Sequence, residues 1–209
     1  MKVEVDFYRE NEYHVGWALL NKELEEGRSW PFWGTMSFEE FRAYFLSHNA
    51  FVVRAVKGGG EACVGAESNG KEGVEGDEGA SVLGTYYIKP NFPDRCAHIC
   101  NGGLITEERM RGHGVGTVMA LSFLRIAKDL GYKASYFNLV FATNTVSIAL
   151  WEKTGFRRLA TIPAAARLKG EESLVDAYMY HYDLTTYTEL GPLSLEDAAV
   201  ESRRAIEFS

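Results

Sequence analysis

A glycine-rich segment in the middle of the chain has the residue types of a phosphate-binding loop. Glycine lets a backbone approach a ligand closely, and the first amides of a helix attract phosphate oxygens together with the positive end of the helix dipole. An apolar stretch of helical spacing follows the segment, over residues 118–130. We therefore predict a pyrophosphate site at the start of a helix. The segment consists of Arg111, Gly112, His113, Gly114, Val115, Gly116 and Thr117.

The spacing of these glycines excludes two common nucleotide-binding loops. A Rossmann fingerprint is spaced GxGxxG, whereas the spacing from Gly112 is GxGxG, and the next predicted strand, residues 135–141, carries no acidic residue. A Walker loop is excluded because no Gly-Lys-Ser or Gly-Lys-Thr follows. From this loop alone, a glycine-rich turn that only caps a helix stays the alternative.

Two motifs resemble those of the GNAT N-acetyltransferases and come in that family's order and separation. Arg111, Gly114 and Gly116, in the pattern RxxGxG, resemble its acetyl-CoA pyrophosphate loop. The resemblance implies an α/β fold of the GNAT type, in which helices flank a mixed, twisted, mostly antiparallel sheet with a central parallel pair splayed at a β-bulge. The second motif, an asparagine-headed helix ending in Gly-Phe, consists of Asn144, Ala149, Trp151, Lys153, Gly155 and Phe156.

The GNAT resemblance also implies acetyl-CoA as co-substrate. Backbone amides near Leu104 and Ile105 should pair with the pantetheine arm, and the loop at 111–117 should hold the pyrophosphate. Asn144 matches the asparagine nearest the arm. An amide of the segment 138–141 is a candidate donor to the oxyanion that forms during acyl transfer.

The general acid and base are harder to assign. Many family members have a tyrosine acid where this chain has Trp151, which we place in the cofactor site; its indole N–H does not titrate. His98 is of the residue type that most often serves as a general base, but a single strand histidine is more often structural, and its face alternates opposite to Asn101 unless a bulge resets the register. A water chain held by asparagines is our leading candidate for deprotonation.

A closer resemblance, over about four fifths of the chain, is to the fungal N-acetyltransferases that act on L-azetidine-2-carboxylate. It implies acetyl transfer to the ring nitrogen of a small cyclic imino acid, either azetidine-2-carboxylate or a hydroxyproline. The runs that carry it are residues 83–91, 95–103, 136–144 and 162–168.

The residues that we assign to the acceptor are all uncharged. Asn101 and Asn138 match the asparagines that hold and orient it, with Leu139 beside them; an amide can donate to a carboxylate without adding a counter-charge. Asn138 lies in an otherwise apolar strand, where a buried polar group needs a partner, whereas Asn101 could be a turn residue beside two glycines. Trp30, in the aromatic linker 29–34, is a candidate pocket wall or a core residue.

Two further functions fit the same motifs. One is acetylation of another small amine such as a polyamine, which the net charge of −7 would permit. The other is a non-catalytic acyl-CoA-binding module, which the missing tyrosine acid favours. Metal binding is not expected, because Cys96, His98 and Cys100 at alternate strand positions would lie about 7 Å apart, too wide for one tetrahedral ion.

The amino-acid composition limits which binding partners and which cellular compartment we expect for this chain. The chain of 209 residues is 46% hydrophobic, enough for one well-cored domain. Its acidic balance argues against nucleic acid and against an anionic membrane surface. The three cysteines and the lack of an apolar signal segment predict a reducing, cytoplasmic setting. The GNAT resemblance implies a homodimer.

Periodicity and caps predict the elements that position these residues. Residues 1–184 should form a single domain, with a flexible Gly- and Glu-rich loop at 57–80, followed by a tail, 185–209, with a short helix at 194–206. The glycines near 102 should mark a bulge or a close backbone approach. Predicted helices cover 13–26, a segment from 37, 115–130 and 144–154. Predicted strands cover 3–7, 50–56, 81–89, 95–106, 135–141, 156–162 and 176–184.

Overall fold

Seven strands and four α-helices make up the described part of the chain, which in this computed structural model is residues 2–56 and 81–188. The helices are α1 Tyr13–Glu26, α2 Phe38–Tyr44, α3 Val115–Asp129 and α4 Thr145–Lys153. The strands are β1 Val3–Phe7, β2 Asn49–Ala55, β3 Val82–Pro90, β4 Ile99–Thr106, β5 Ala134–Phe141, β6 Arg157–Ala166 and β7 Val175–Asp183.

The strands form one mixed sheet in the order β1-β2-β3-β4-β5-β7-β6. Every neighbouring pair is antiparallel except β4 and β5, which are parallel and joined through α3. The predicted fold class is therefore confirmed. The parallel pair lies in the middle of the sheet, as the GNAT resemblance implied.

Helix boundaries follow local capping chemistry. Gly27 ends α1 with a φ of 64°, the left-handed conformation that glycine adopts without strain. Ser37 begins α2 in a capping box, in which Ser37 Oγ accepts from the Glu40 amide and the Glu40 carboxylate accepts from the Ser37 amide. Asn144 caps α4 by accepting from the Ser147 amide at 3.1 Å. All three boundaries were predicted from sequence.

The helices cover opposite faces of the sheet. Alternate residues of β3 point to different apolar clusters, Tyr86 to the cluster under α3 and Tyr87 to the cluster under α1 and α2. Phe123 of α3 anchors the first cluster, and Phe41 of α2 anchors the second; all four rings are almost fully buried. The central strands are thereby fixed from both sides, which holds the point where β4 and β5 separate.

β4 and β5 pair only at Ile99–Ala134 and Cys100–Ser135 and then diverge. The cleft between them, called the fork below, opens toward the start of α3. The predicted splaying is confirmed, but the sequence placed the start of β4 too early: residues 94–96 form a 3-10 turn, and the strand begins at Ile99.

The predicted bulge does not interrupt the pairing of β4 with β3. That register runs without a shift from Gly84–Thr106 to Pro90–Cys100, and the irregularity lies instead in β5, opposite β7. The glycines serve close approach, which was the other expectation. A Cβ on Gly102 would lie 2.6 Å from the Phe123 ring, and one on Gly103 would lie 2.3 Å from the Trp30 ring.

Several predictions fall outside the described residues. They concern the flexible loop at 57–80 and the tail helix at 194–206, together with the thiol of Cys63. Among the helices that the structure does describe, none combines the length and apolar character needed to cross a membrane.

Candidate active site at the fork of the sheet

The glycine loop leads into α3 with its backbone amides open to a ligand. Gly112 and Gly114 have φ of 78° and 86°, and no side chain caps the first turn of α3. A Cβ built on Gly112 meets nothing within 4 Å, and one on Gly116 meets its nearest atoms at 3.8 Å, so the space beside the loop is open. Uncapped helix amides beside open space fit a pyrophosphate.

The side chains of the loop form contacts within the protein or are exposed to solvent. The Arg111 guanidinium forms ion pairs with Glu23 and, at 3.6 Å, with Glu26, both on α1. The His113 ring is exposed and lies 3.0 Å from the Arg111 carbonyl oxygen. Thr117 is buried in the first turn, as is Val115. Arg111 therefore holds the loop against α1, and the backbone is what the loop presents to an anion.

Strand alternation decides which amides of β4 face the fork. The Glu107 amide donates to Leu83 and the Asn91 amide donates to Ile99, so the odd-numbered residues of β4 direct their amides to β3. Leu104 then directs its N–H and C=O into the fork, where a pantetheine arm can pair with them. Ile105 directs its amide to β3, and its side chain is buried under α1. Of the two predicted amides, the geometry supplies that of Leu104.

Asn101 and Asn138 lie together at the base of the fork, joined by Asn91. Asn91 and Asn138 exchange amide hydrogen bonds of 3.0 and 2.6 Å, and the Asn101 Nδ2 donates to Asn91 Oδ1 at 3.1 Å. The Asn101 Oδ1 accepts from the Gly102 amide at 2.7 Å. These three side chains are called the asparagine trio below; Asn101 lies one residue and Asn138 three residues beyond the last β4–β5 pair, Cys100–Ser135.

Asn91 is the member of the trio that sequence reasoning missed. It follows Pro90 at the end of β3, and the run Lys-Pro-Asn reads as a strand end and a turn. The only signal was its place within the run that carried the closer resemblance. Its partners come from β4 and β5, so only the sheet shows what its side chain bonds.

Trp30 lies on the same face of β4 as Asn101. Its ring packs on Gly103, two residues along the strand, and its centroid lies 6.3 Å from that of Tyr44 and 6.5 Å from that of Tyr87. Trp30 is half-buried and its ring joins the α1–α2 cluster, as the core reading expected, whereas its role as a wall of the acceptor pocket stays a prediction.

Leu139 follows Asn138 in β5 and is 41% exposed, an unusual exposure for leucine in a central strand. The irregular pairing of β5 with β7 covers this position, between Phe137 and Val140. Leu139 therefore presents apolar surface at the position next to Asn138 in β5.

The residues predicted near the cofactor arm on α4 have structural roles. Asn144 uses its Oδ1 to cap the helix. Trp151 is 5% exposed, stacks on Phe137 with ring centroids 4.0 Å apart, and contacts Phe156. Its indole is part of the core between α4 and β5, so contact with acetyl-CoA stays a prediction for Trp151.

The candidate base and metal ligands do not share the strand face that was assumed. Cys96 lies in the 3-10 turn, and the exposed His98 precedes β4, so the assumed alternation does not reach them. Cys100 is buried beside Ser135, and burial raises the pKa of its thiol to about 12. Residues 2–56 and 81–188 contain no group of three or more His, Cys, Asp or Glu side chains placed to hold a metal ion.

Comparisons with known proteins agree with this geometry. Residues 17–156 match the model of the acetyltransferase (GNAT) family. The chain is 39% identical, over 86% of its length and 80% of the relative's, to the N-acetyltransferase aca1 of Schizosaccharomyces pombe.

Solved structures show the same fold. A GCN5-related N-acetyltransferase from Kribbella flavida superposes with a TM-score of 0.72 at 21% identity, covering 87% of this chain and 98% of the other. A GNAT phosphinothricin acetyltransferase from Sinorhizobium meliloti, solved in complex with acetyl-CoA, has a TM-score of 0.71 at 14% identity, covering 91% and 95%. The chain therefore belongs to the acetyltransferase (GNAT) family and is an N-acetyltransferase with acetyl-CoA as its co-substrate.

Proposed function

We propose that this enzyme transfers the acetyl group of acetyl-CoA to the ring nitrogen of a small cyclic imino acid of the azetidine-2-carboxylate or hydroxyproline type. The observation that carries the proposal is the asparagine trio at the base of the fork. It lies where a pantetheine arm, running down the fork from the loop at α3, would end.

The trio suits a zwitterionic imino acid. Carboxamides supply both donors and acceptors, so Asn101 and Asn138 can orient the ring N–H through oxygen and the acceptor carboxylate through Nδ2. Asn91 bonds both of them and limits their rotation. Fixed geometry at the reacting nitrogen lowers the entropic cost of attack.

The reaction is direct transfer. The neutral ring nitrogen attacks the thioester carbonyl, an N–C bond forms, the C–S bond breaks, and CoA leaves as its thiol. Before attack, the ring nitrogen of the zwitterion gives one proton to water held at the trio and becomes neutral; after attack it loses its second proton, and the departing sulfur takes one proton. A backbone amide of the segment 138–141 stabilises the oxyanion. Trp151 supplies no proton, since an indole N–H does not titrate.

A thiol-release assay tests the proposal. L-azetidine-2-carboxylate, cis-4-hydroxyproline, proline and spermidine are compared at equal acetyl-CoA concentration. We expect CoA release that depends on the ring imino acids. Turnover of spermidine alone would move the assignment to polyamines, and acetyl-CoA binding without turnover of any amine would favour a non-catalytic acyl-CoA-binding module.

Asn138→Ala tests the trio directly. We expect kcat/KM for the imino acid to fall roughly 10- to 100-fold, the loss of one or two buried hydrogen bonds. The dissociation constant of acetyl-CoA should stay within about twofold, because other residues hold its pyrophosphate. Asn11→Ala, at an exposed position on the N-terminal side, is the matched control. Wild-type kinetics in Asn138→Ala would remove Asn138 from the site.

A homodimer and a cytoplasmic setting remain predictions.

A further inference from the structure

A lysine on β3 is enclosed by two tyrosines beside the asparagine trio. The Lys89 Nζ lies 3.8 Å from the ring centroid of Tyr44 and 4.5 Å from that of Tyr87. The two tyrosine hydroxyls share a hydrogen bond of 2.9 Å, which fixes one ring against the other. The ammonium group is thereby held in place by aromatic faces.

The positive charge of Lys89 lacks a counter-charge within the described residues. No carboxylate of residues 2–56 and 81–188 forms an ion pair with its ammonium, and within these residues its hydrogen bond is a long one of 3.4 Å to the Tyr44 carbonyl. The side chain is half-buried, and burial lowers the pKa of Lys89. A cation that is partly withdrawn from water and not neutralised attracts an anionic ligand.

Sheet register places this cation next to the acceptor site. Lys89 is directly opposite Asn101 in the β3–β4 ladder, and residues so paired carry their side chains on the same face, about 5 Å apart. Trp30 packs on Gly103 on that face, two residues beyond Asn101. The enclosing tyrosines also contact Trp30. The cation, the Asn101 amide and the aromatic rings thus lie at neighbouring positions on one face of the sheet.

We propose that Lys89 binds the carboxylate of the acceptor and sets the preference of the enzyme for amino acids over simple amines. The proposal rests on the proposed function: Asn101 and Asn138 orient the ring nitrogen and donate to the carboxylate, and Lys89 adds the counter-charge that the amides lack. Tyr44 and Tyr87 position the ammonium group and limit the water around it. In azetidine-2-carboxylate the carboxylate is attached to the ring carbon next to the nitrogen. Lys89 can therefore bind the carboxylate while Asn101 and Asn138 orient the nitrogen.

The test compares two acceptors of nearly the same shape, L-azetidine-2-carboxylate and its neutral carboxamide, in the wild type and in Lys89→Met. For the acid we expect KM to rise roughly 10- to 100-fold in the variant, the loss of a hydrogen bond to a charged group. For the carboxamide, KM should change less than about threefold. Lys89→Arg should recover part of the loss, and Lys133→Met, at an exposed lysine, is the matched control.

The outcomes separate this proposal from the one on which it rests. If the wild type acetylates neither acceptor, the proposed function fails, and the role of Lys89 fails with it. If the wild type turns over the acid and Lys89→Met keeps the same acid-to-carboxamide ratio, the role of Lys89 fails alone. An equal loss for both acceptors in Lys89→Met and in Lys89→Gln would also overturn it, because that result shows a general effect on the cleft.

Discussion

Two cations in the sheet have opposite surroundings. Arg54 on β2 is fully buried, and its guanidinium forms paired hydrogen bonds of 2.5 and 2.7 Å with Glu12, a bond of 2.6 Å with the Phe7 carbonyl, and a longer contact of 3.6 Å with Asp6. Lys89 on β3 is half-buried and is held by tyrosine rings, without an acidic partner in the described residues.

The difference separates a structural charge from a charge available to a ligand. A buried guanidinium is tolerated only when carboxylates and carbonyls replace its hydration, and Arg54 has them. Its charge is neutralised by Glu12 within the fold, where the pair joins β2 to the segment before α1, although its Nη1 forms no hydrogen bond with the described residues. Lys89 lies beside the fork and has no carboxylate partner among the described residues, so its charge is not neutralised. The comparison predicts that removing Arg54 damages the fold, whereas removing Lys89 damages recognition.

The largest effect is expected for Arg54→Met. It leaves the Glu12 carboxylate buried without its partner, so the free energy of unfolding should fall by about 3–5 kcal/mol. Urea denaturation at neutral pH measures it. The double variant Glu12→Gln, Arg54→Met should lose less than the sum of the single variants, because no charge is left unpaired. A loss below about 1 kcal/mol in Arg54→Met would break the comparison, since surface ion pairs contribute that little.

A smaller effect concerns the pH dependence of stability. Burial by itself would raise the pKa of Glu12, but its hydrogen bonds to Arg54 and to the Arg9 amide hold that pKa below 4.5 in the folded state. A carboxyl whose folded pKa is lowered adds stability above its unfolded pKa and loses it as the pH falls through the folded value. In Glu12→Gln the free energy of unfolding should therefore fall less steeply as the pH is lowered. Its slope against pH should differ from that of the wild type by at most the contribution of one bound proton. Equal slopes in both proteins would contradict the pairing.

The smallest effect is expected for the stability of Lys89→Met. Replacing a partly desolvated, unneutralised cation by an apolar side chain of similar length should change the free energy of unfolding by less than about 1 kcal/mol. The same urea experiment measures it beside Arg54→Met. A loss approaching that of Arg54→Met would show that Lys89 is a structural cation, and would weaken its assignment to the acceptor.

Short-range features of the molecule were predictable from the sequence. The cap residues Gly27, Ser37 and Asn144 fix helix ends through bonds to residues a few positions away, so their chemistry is visible in the chain itself. The glycine loop has the same property, since positive φ and uncapped amides need only the residues of the loop. Asn138 stood out because a polar residue in an apolar strand needs a partner.

The contacts at the candidate site depend on pairing between distant segments of the chain. The sequence determined by itself the helices, the order of the strands along the chain, the glycine loop at the start of α3 and the family motifs, because these depend on periodicity and near neighbours. Only the tertiary structure decided that Asn91 joins Asn101 to Asn138, that Arg111 pairs with α1, and that Lys89 lies opposite Asn101. Such contacts depend on sheet register between distant segments, and a shift of one residue would turn each side chain to the other face.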